Sequence, residues 1–216
     1  MMYSIFKLLI NLMKFFIYRY QQLKPQACYY QFNKCYLQHF ERREYLTYNG
    51  NMIIIEKIIK ILKKQENGTV TQRFCLAILL KASIKETVIP TYVHNEMIQQ
   101  IVNLMQKSVN TQIHVLCHVF ASATLANIIH TPYTLQYLEH QPKFTHQVME
   151  QFLKFIKDQI QVSVLMHILI CLSYLSKENF ANQMEECRFI DRISEFVEYY
   201  SVINTGVNRK DYLIRK

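Results

Sequence analysis

Ile58-Ile59-Lys60-Ile61-Leu62, Ile101-Val102-Asn103-Leu104-Met105 and Phe152-Leu153-Lys154-Phe155-Ile156 share one pattern, with Ile193-Ser194-Glu195-Phe196-Val197 as a weaker fourth copy. Apolar pairs flank a single polar or basic residue. Apolar positions spaced this way gather on one side of a helix and cannot alternate across a strand. The copies begin at residues 58, 101, 152 and 193, which are 43, 51 and 41 residues apart. Working outward, a longer apolar helix is predicted after each of the first three copies, over 74–83, 115–129 and 164–176. Brief helices over 91–96 and 179–186 lead into the next copy. Each unit therefore holds two or three helices, and no run of period-2 alternation interrupts them.

A period of about 40–47 residues with two or three helices per unit is the armadillo/HEAT signature. Such units bury one face on each neighbour, which explains long helices that are apolar on nearly all sides. The expected fold is all-α: an armadillo/HEAT-like helical solenoid of three to four repeats over 51–200. A helical N-terminal extension or cap at 1–50 precedes it, and a basic tail at 201–216 follows. The wider 51-residue spacing leaves room for an enlarged loop across 132–144, holding Pro132, His140 and Pro142. Insertions in solenoids map to one face and often touch partners. Tyr133, Tyr137 and His140 are accordingly candidate contact residues.

Composition agrees. Half of the 216 residues are hydrophobic and 19% are charged, which suits a folded core rather than disorder. Three Gly and four Pro are too few for glycine-rich phosphate loops or for an all-β fold with many tight turns. The chain has no GxSxG, no SxxK and no kinase motif set. The adjacent acids Glu185 and Glu186 point to different faces of a helix and cannot pair as acid and base. The sequence therefore reads as that of a non-enzyme without a cofactor.

The net charge of +9 is unevenly spread. Residues 1–50 carry +5, residues 51–131 carry +4, residues 132–200 carry −3 and residues 201–216 carry +3. Lys57, Lys60, Lys63 and Lys64 form a stripe at spacings of three and four, opposite Ile54, Ile55, Ile58, Ile61 and Leu62. Arg73, Lys81 and Lys85 extend it. One reading is the solvated face of an amphipathic helix. The other is a surface for an acidic partner, such as tubulin tails or phosphates. Arg209, Lys210, Arg215 and Lys216 read as a flexible basic tail.

The six cysteines are irregularly spaced without a CxxC pair, and read as reduced thiols in the cytosol. Cys75, Cys117 and Cys171 sit in apolar stretches and behave as small hydrophobes. His114, Cys117 and His118 lie within about one helical turn, yet lack a further strong ligand, so they read as packing residues. Cys28, Cys35 and His39 have loose ligand spacing without a fourth partner. The Asn67-Gly68-Thr69 sequon reads as chance. Residues 1–20 are mostly apolar but contain Lys7 and Lys14, which argues against a membrane span. They read as a helix docked on the body or on a partner, with an organellar presequence or membrane anchor as the alternative.

Over residues 70–200 the sequence resembles the LisH-domain armadillo family of cilia and basal bodies. The resemblance rests on Val70-Thr71-Gln72-Arg73, then Leu76, Leu79, Lys81, Ser83, Lys85, Ile98 and Val102. A second stretch over 161–196 carries Cys171-Leu172-Ser173, Glu185-Glu186 and Ile190-Asp191-Arg192-Ile193. It implies a non-enzymatic scaffold in the cytoplasm at the cilium or basal body, joined to axonemal microtubules and to protein partners in a large assembly. Nucleic acid and membrane are not expected partners. Residues 1–50 resemble neither the LisH motif nor the coiled coil of that family, so dimerisation is not carried over. Two alternatives stand beside it: a subunit of a mitochondrial complex, and a peptide-binding armadillo adaptor, which the lack of Trp disfavours.

Overall fold

The computed structural model describes residues 52–66, 68–106, 112–158, 161–176 and 178–204. The expected N-terminal extension at 1–50, the tail residues beyond 204, and the trio Cys28, Cys35 and His39 lie outside the described residues. Among the described residues every regular element is helical and there is no strand.

Helix α1 spans Met52–Lys64 and α2 spans Val70–Ala82. A short helix α3 (Ile89–His94), then α4 (Met97–Met105) and the long α5 (Gln112–Ile129) follow. The same order recurs in α6 (Pro132–Glu139), α7 (Pro142–Asp158) and α8 (Val162–Leu175). Helix α9 (Ala181–Glu186) and α10 (Phe189–Asn204) complete the described chain. Helix α10 thus runs four residues past the boundary expected at 200.

The three apolar helices pack in sequence, α2 on α5 and α5 on α8. The amphipathic helices α1, α4 and α7 each cover the apolar helix that follows them, and α3 packs on α6. Helix α7 touches α4, α6, α8, α9 and α10. One continuous core runs through these layers, with Tyr92, Phe152, Phe180 and Phe189 among its largest fully buried side chains.

The turns between the short helix and the next amphipathic helix are copies of one another. At Asn95, His140 and Cys187 the backbone N–H donates to the carbonyl four residues back, 3.0–3.3 Å away. The next residue, Glu96, Gln141 or Arg188, donates to the carbonyl three residues back. That residue's own carbonyl accepts from Gln100, Thr145 or Arg192 at 2.9–3.1 Å and opens the next helix. The turns at 95, 140 and 187 lie 45 and 47 residues apart. Two of them need the left-handed region at a non-glycine residue, Glu96 at φ 55° and Arg188 at φ 50°.

This regularity corrects the expected loop at 132–144. Those residues form α6 and the start of α7, not a loop. Pro132 and Pro142 each occupy the first position of a helix, where a missing N–H costs nothing and a fixed φ is already helical. Thr131 caps α6 by accepting from the Thr134 N–H at 3.4 Å. The extra length of the 51-residue spacing is instead in α7, whose apolar motif starts 12 residues after its turn, against six in α4 and α10.

Thr69 has a local duty that explains its place in Asn67-Gly68-Thr69. Its Oγ1 accepts from the Gln72 N–H at 3.1 Å, and Gln72 Oε1 accepts from the Gly68 N–H at 2.8 Å. This is a capping box shifted by one residue at the start of α2. Gly68 has φ +74°, and a Cβ there would collide with the His114 imidazole. Gly68→Ala is expected to cost about 1–3 kcal/mol, part from backbone strain and part from the collision. Thermal unfolding of Gly68→Ala with and without His114→Ala checks this, since only the steric part is relieved by the second change.

Candidate functional site

Helix α1 carries the predicted basic stripe. Ile55, Ile59 and Leu62 are buried at i, i+4 and i+7, which turns Lys57, Lys60, Lys63 and Lys64 outward. The expected apolar side needs one correction: Ile61 is 45% exposed and Ile59 is fully buried in its stead. With Ile53 at 62% exposure, the outer side of α1 mixes lysines and isoleucines. Among the described residues, Lys63 is the one lysine of the four with a carboxylate in range, Glu96 Oε2 at 3.8 Å.

The proposed extensions of the stripe are less open. Lys81 and Lys85 are half-buried. Arg73 is half-buried as well, with its guanidinium 5.0 Å from the centre of the Phe74 ring and its Nε out of contact with water. That stacking ties down part of its charge.

Tyr133 and Tyr137 are exposed on α6, but both have structural partners. The Tyr133 hydroxyl lies 3.2 Å from His94 Nε2, joining α6 to α3. The Tyr137 ring meets Phe144 edge to face at 6.5 Å. His140 is exposed, and its Nδ1 donates to the Gln136 carbonyl at 2.7 Å, closing the end of α6. These three residues hold the α6 turn, so only their outer edges are available to a partner.

No family model, no curated protein and no solved structure matches the chain.

Buried polar groups between the units are few and local. Tyr92 donates to the Leu79 carbonyl at 2.6 Å, joining α3 to α2. Asn127 Nδ2 donates to Ser83 Oγ at 3.0 Å, joining α5 to the end of α2. The Ser122 hydroxyl lies 3.0 Å from the Val119 carbonyl and 3.0 Å from His167 Nδ1, joining α5 to α8. A hydroxyl has one proton. Given to Val119, it leaves Oγ to accept from His167 Nδ1–H, which sets the tautomer. Burial lowers the His167 pKa to about 4.

The donors of His114, Cys117 and His118 do not converge. His114 covers Gly68 instead. Cys117 is fully buried, and burial raises its thiol to about 11 although Arg73 pulls the other way. Neither ring nitrogen of His118 has a hydrogen-bond partner. Burial, then the neighbouring His114, depresses its pKa, opposed by the nearby Leu104 carbonyl.

A different set does converge. His146 and Glu150 lie one turn apart on α7, and Cys187 reaches them from the turn before α10. Their donor atoms all fall within 4.8 Å of one another. His146 Nδ1 is 3.4 Å from Cys187 Sγ and 3.2 Å from Glu186 Oε2. Arg192 holds Glu150 Oε2 at 2.7 Å. Burial pushes the Cys187 thiol up to about 12, helped by Glu150 and Glu186 and opposed by Arg192. This group leaves little trace in the sequence, because no short ligand motif links residues 41 positions apart.

Proposed function

We propose that the chain is a non-enzymatic scaffold of armadillo type, whose α1 lysines meet an acidic protein partner. The exposed quartet Lys57, Lys60, Lys63 and Lys64 carries this reading, since three of its members have no carboxylate in range among the described residues. Turns spaced 45 and 47 residues apart support the repeat assignment, because armadillo and HEAT units have about that length. An extended stack of like units suits a long partner. The resemblance to ciliary armadillo proteins makes the acidic tails of tubulin, on axonemal or basal-body microtubules, the partner to test.

The test is co-sedimentation with stabilised microtubules, with and without the tubulin tails, at low and physiological salt. Pelleting is expected to need the tails and to weaken as salt shortens the range of the attraction. Lys57→Glu/Lys60→Glu/Lys64→Glu is expected to reduce affinity by more than about tenfold, because like charges then face each other. Absence of pelleting at low salt, or pelleting indifferent to the triple change, would overturn this reading.

A further inference from the structure

We propose that His146, Glu150 and Cys187 form a zinc-binding site that ties α7 to the turn before α10. An imidazole nitrogen, a carboxylate oxygen and a sulfur are donors that Zn²⁺ accepts together, whereas harder cations reject the sulfur. The distances fit. Two ligands of a tetrahedral zinc, with Zn–S about 2.3 Å and Zn–N about 2.0–2.1 Å, stand about 3.6 Å apart. Cys187 Sγ and His146 Nδ1 are 3.4 Å apart, and the Glu150 oxygen lies within 4.8 Å of both.

The side chains of the cluster also face one another directly. His146 Nδ1 faces Glu186 Oε2 at 3.2 Å and Cys187 Sγ at 3.4 Å. Donating to the carboxylate leaves the thiol proton to the His146 carbonyl, 3.8 Å from Sγ. A cation at the centre replaces these long contacts with metal–ligand bonds. The Cys187 proton leaves to solvent, the thiolate and the His146 Nδ1 lone pair bind the metal, and the imidazole proton moves to Nε2. A water then takes the fourth position. Arg192 fixes the Glu150 carboxylate through Oε2 at 2.7 Å. Such a support of a metal ligand is the usual companion of a built site.

Both elements are set for this by the repeat. The six extra residues before the α7 motif lengthen that helix past its counterpart α4, and His146 and Glu150 lie within the longer part. Cys187 occupies the turn position that Asn95 and His140 hold in the other copies.

The full chain is purified without metal and titrated with Co²⁺ as a coloured stand-in, then with Zn²⁺. A thiolate-to-cobalt charge-transfer band at about one equivalent per chain is expected, displaced by zinc, with a rise in the unfolding temperature on zinc addition. Cys187→Ser abolishes the band, and His146→Gln weakens binding more than about tenfold. Cys28→Ser/Cys35→Ser retains the band, which separates this site from thiols elsewhere. A folded parent chain without a thiolate band overturns the proposal. So does a band that survives Cys187→Ser or disappears in Cys28→Ser/Cys35→Ser. Should Cys187→Ser not fold, His146→Gln decides, and unchanged cobalt affinity in that variant overturns the site.

Discussion

Phe152→Ala is expected to lower the unfolding free energy by about 3–5 kcal/mol, near the top of the range for a single substitution. Phe152 is fully buried on α7, the helix in contact with α4, α6, α8, α9 and α10. Truncation therefore removes apolar area and leaves a hole where several helices meet, each held by its own neighbours and unable to collapse inward. For a chain of this size the melting temperature should fall by roughly 6–20 °C. Calorimetry is the suitable measurement, because a repeat array can lose its two-state character when one unit is weakened. Phe152→Leu, which keeps most of the volume, should cost less than about 1.5 kcal/mol. Equal losses for Ala and Leu would show that ring shape, not cavity, sets the cost.

The second large effect is a loss of stability in acid. His167 has a folded pKa of about 4 against 6.5 when unfolded. Below pH 6.5 the unfolded chain therefore binds a proton that the folded chain refuses. Stability falls as pH drops from 6.5 towards 4, by about 1.4 kcal/mol per unit and about 3 kcal/mol in all from this one group. His118, depressed by burial and by His114, acts with the same sign. His167→Asn keeps a donor for Ser122 and cannot ionise. Urea unfolding at pH 7 should give similar stabilities for parent and variant, whereas at pH 4.5 the parent should have lost about 2–3 kcal/mol more. Parallel losses would mean that His167 is charged in the folded state.

Both predictions depend on helices that the sequence announces and on packing that it announces only in part. The apolar helices 74–83, 115–129 and 164–176 were legible because a side chain buried all round leaves a continuous apolar run, and the structure places α2, α5 and α8 there. The stretch 132–144 was not. Two prolines and a histidine resemble a loop, but Thr131-Pro132 is a helix start, and only the observed cap distinguishes the two. Ile59 and Ile61 exchanged places for a similar reason: a run of adjacent isoleucines leaves the helix face undetermined to within about 100°. The lysine stripe was visible because its spacing is local. The group at His146, Glu150 and Cys187 was not, because it depends on how two successive units are set against each other, which no local spacing encodes.

The turn repeated at Asn95, His140 and Cys187 has a mechanical consequence. Every substantial contact between helices joins members of the same unit or of adjacent units. No brace spans the stack from end to end among the described residues. The angle at one junction is then set by the contacts of the two units that meet there. The relation of α1 to α10 is the product of the junctions α2–α5, α5–α8 and α7–α10 taken in turn. The direction in which the lysines of α1 face, relative to α10, therefore changes if any one of these junctions changes.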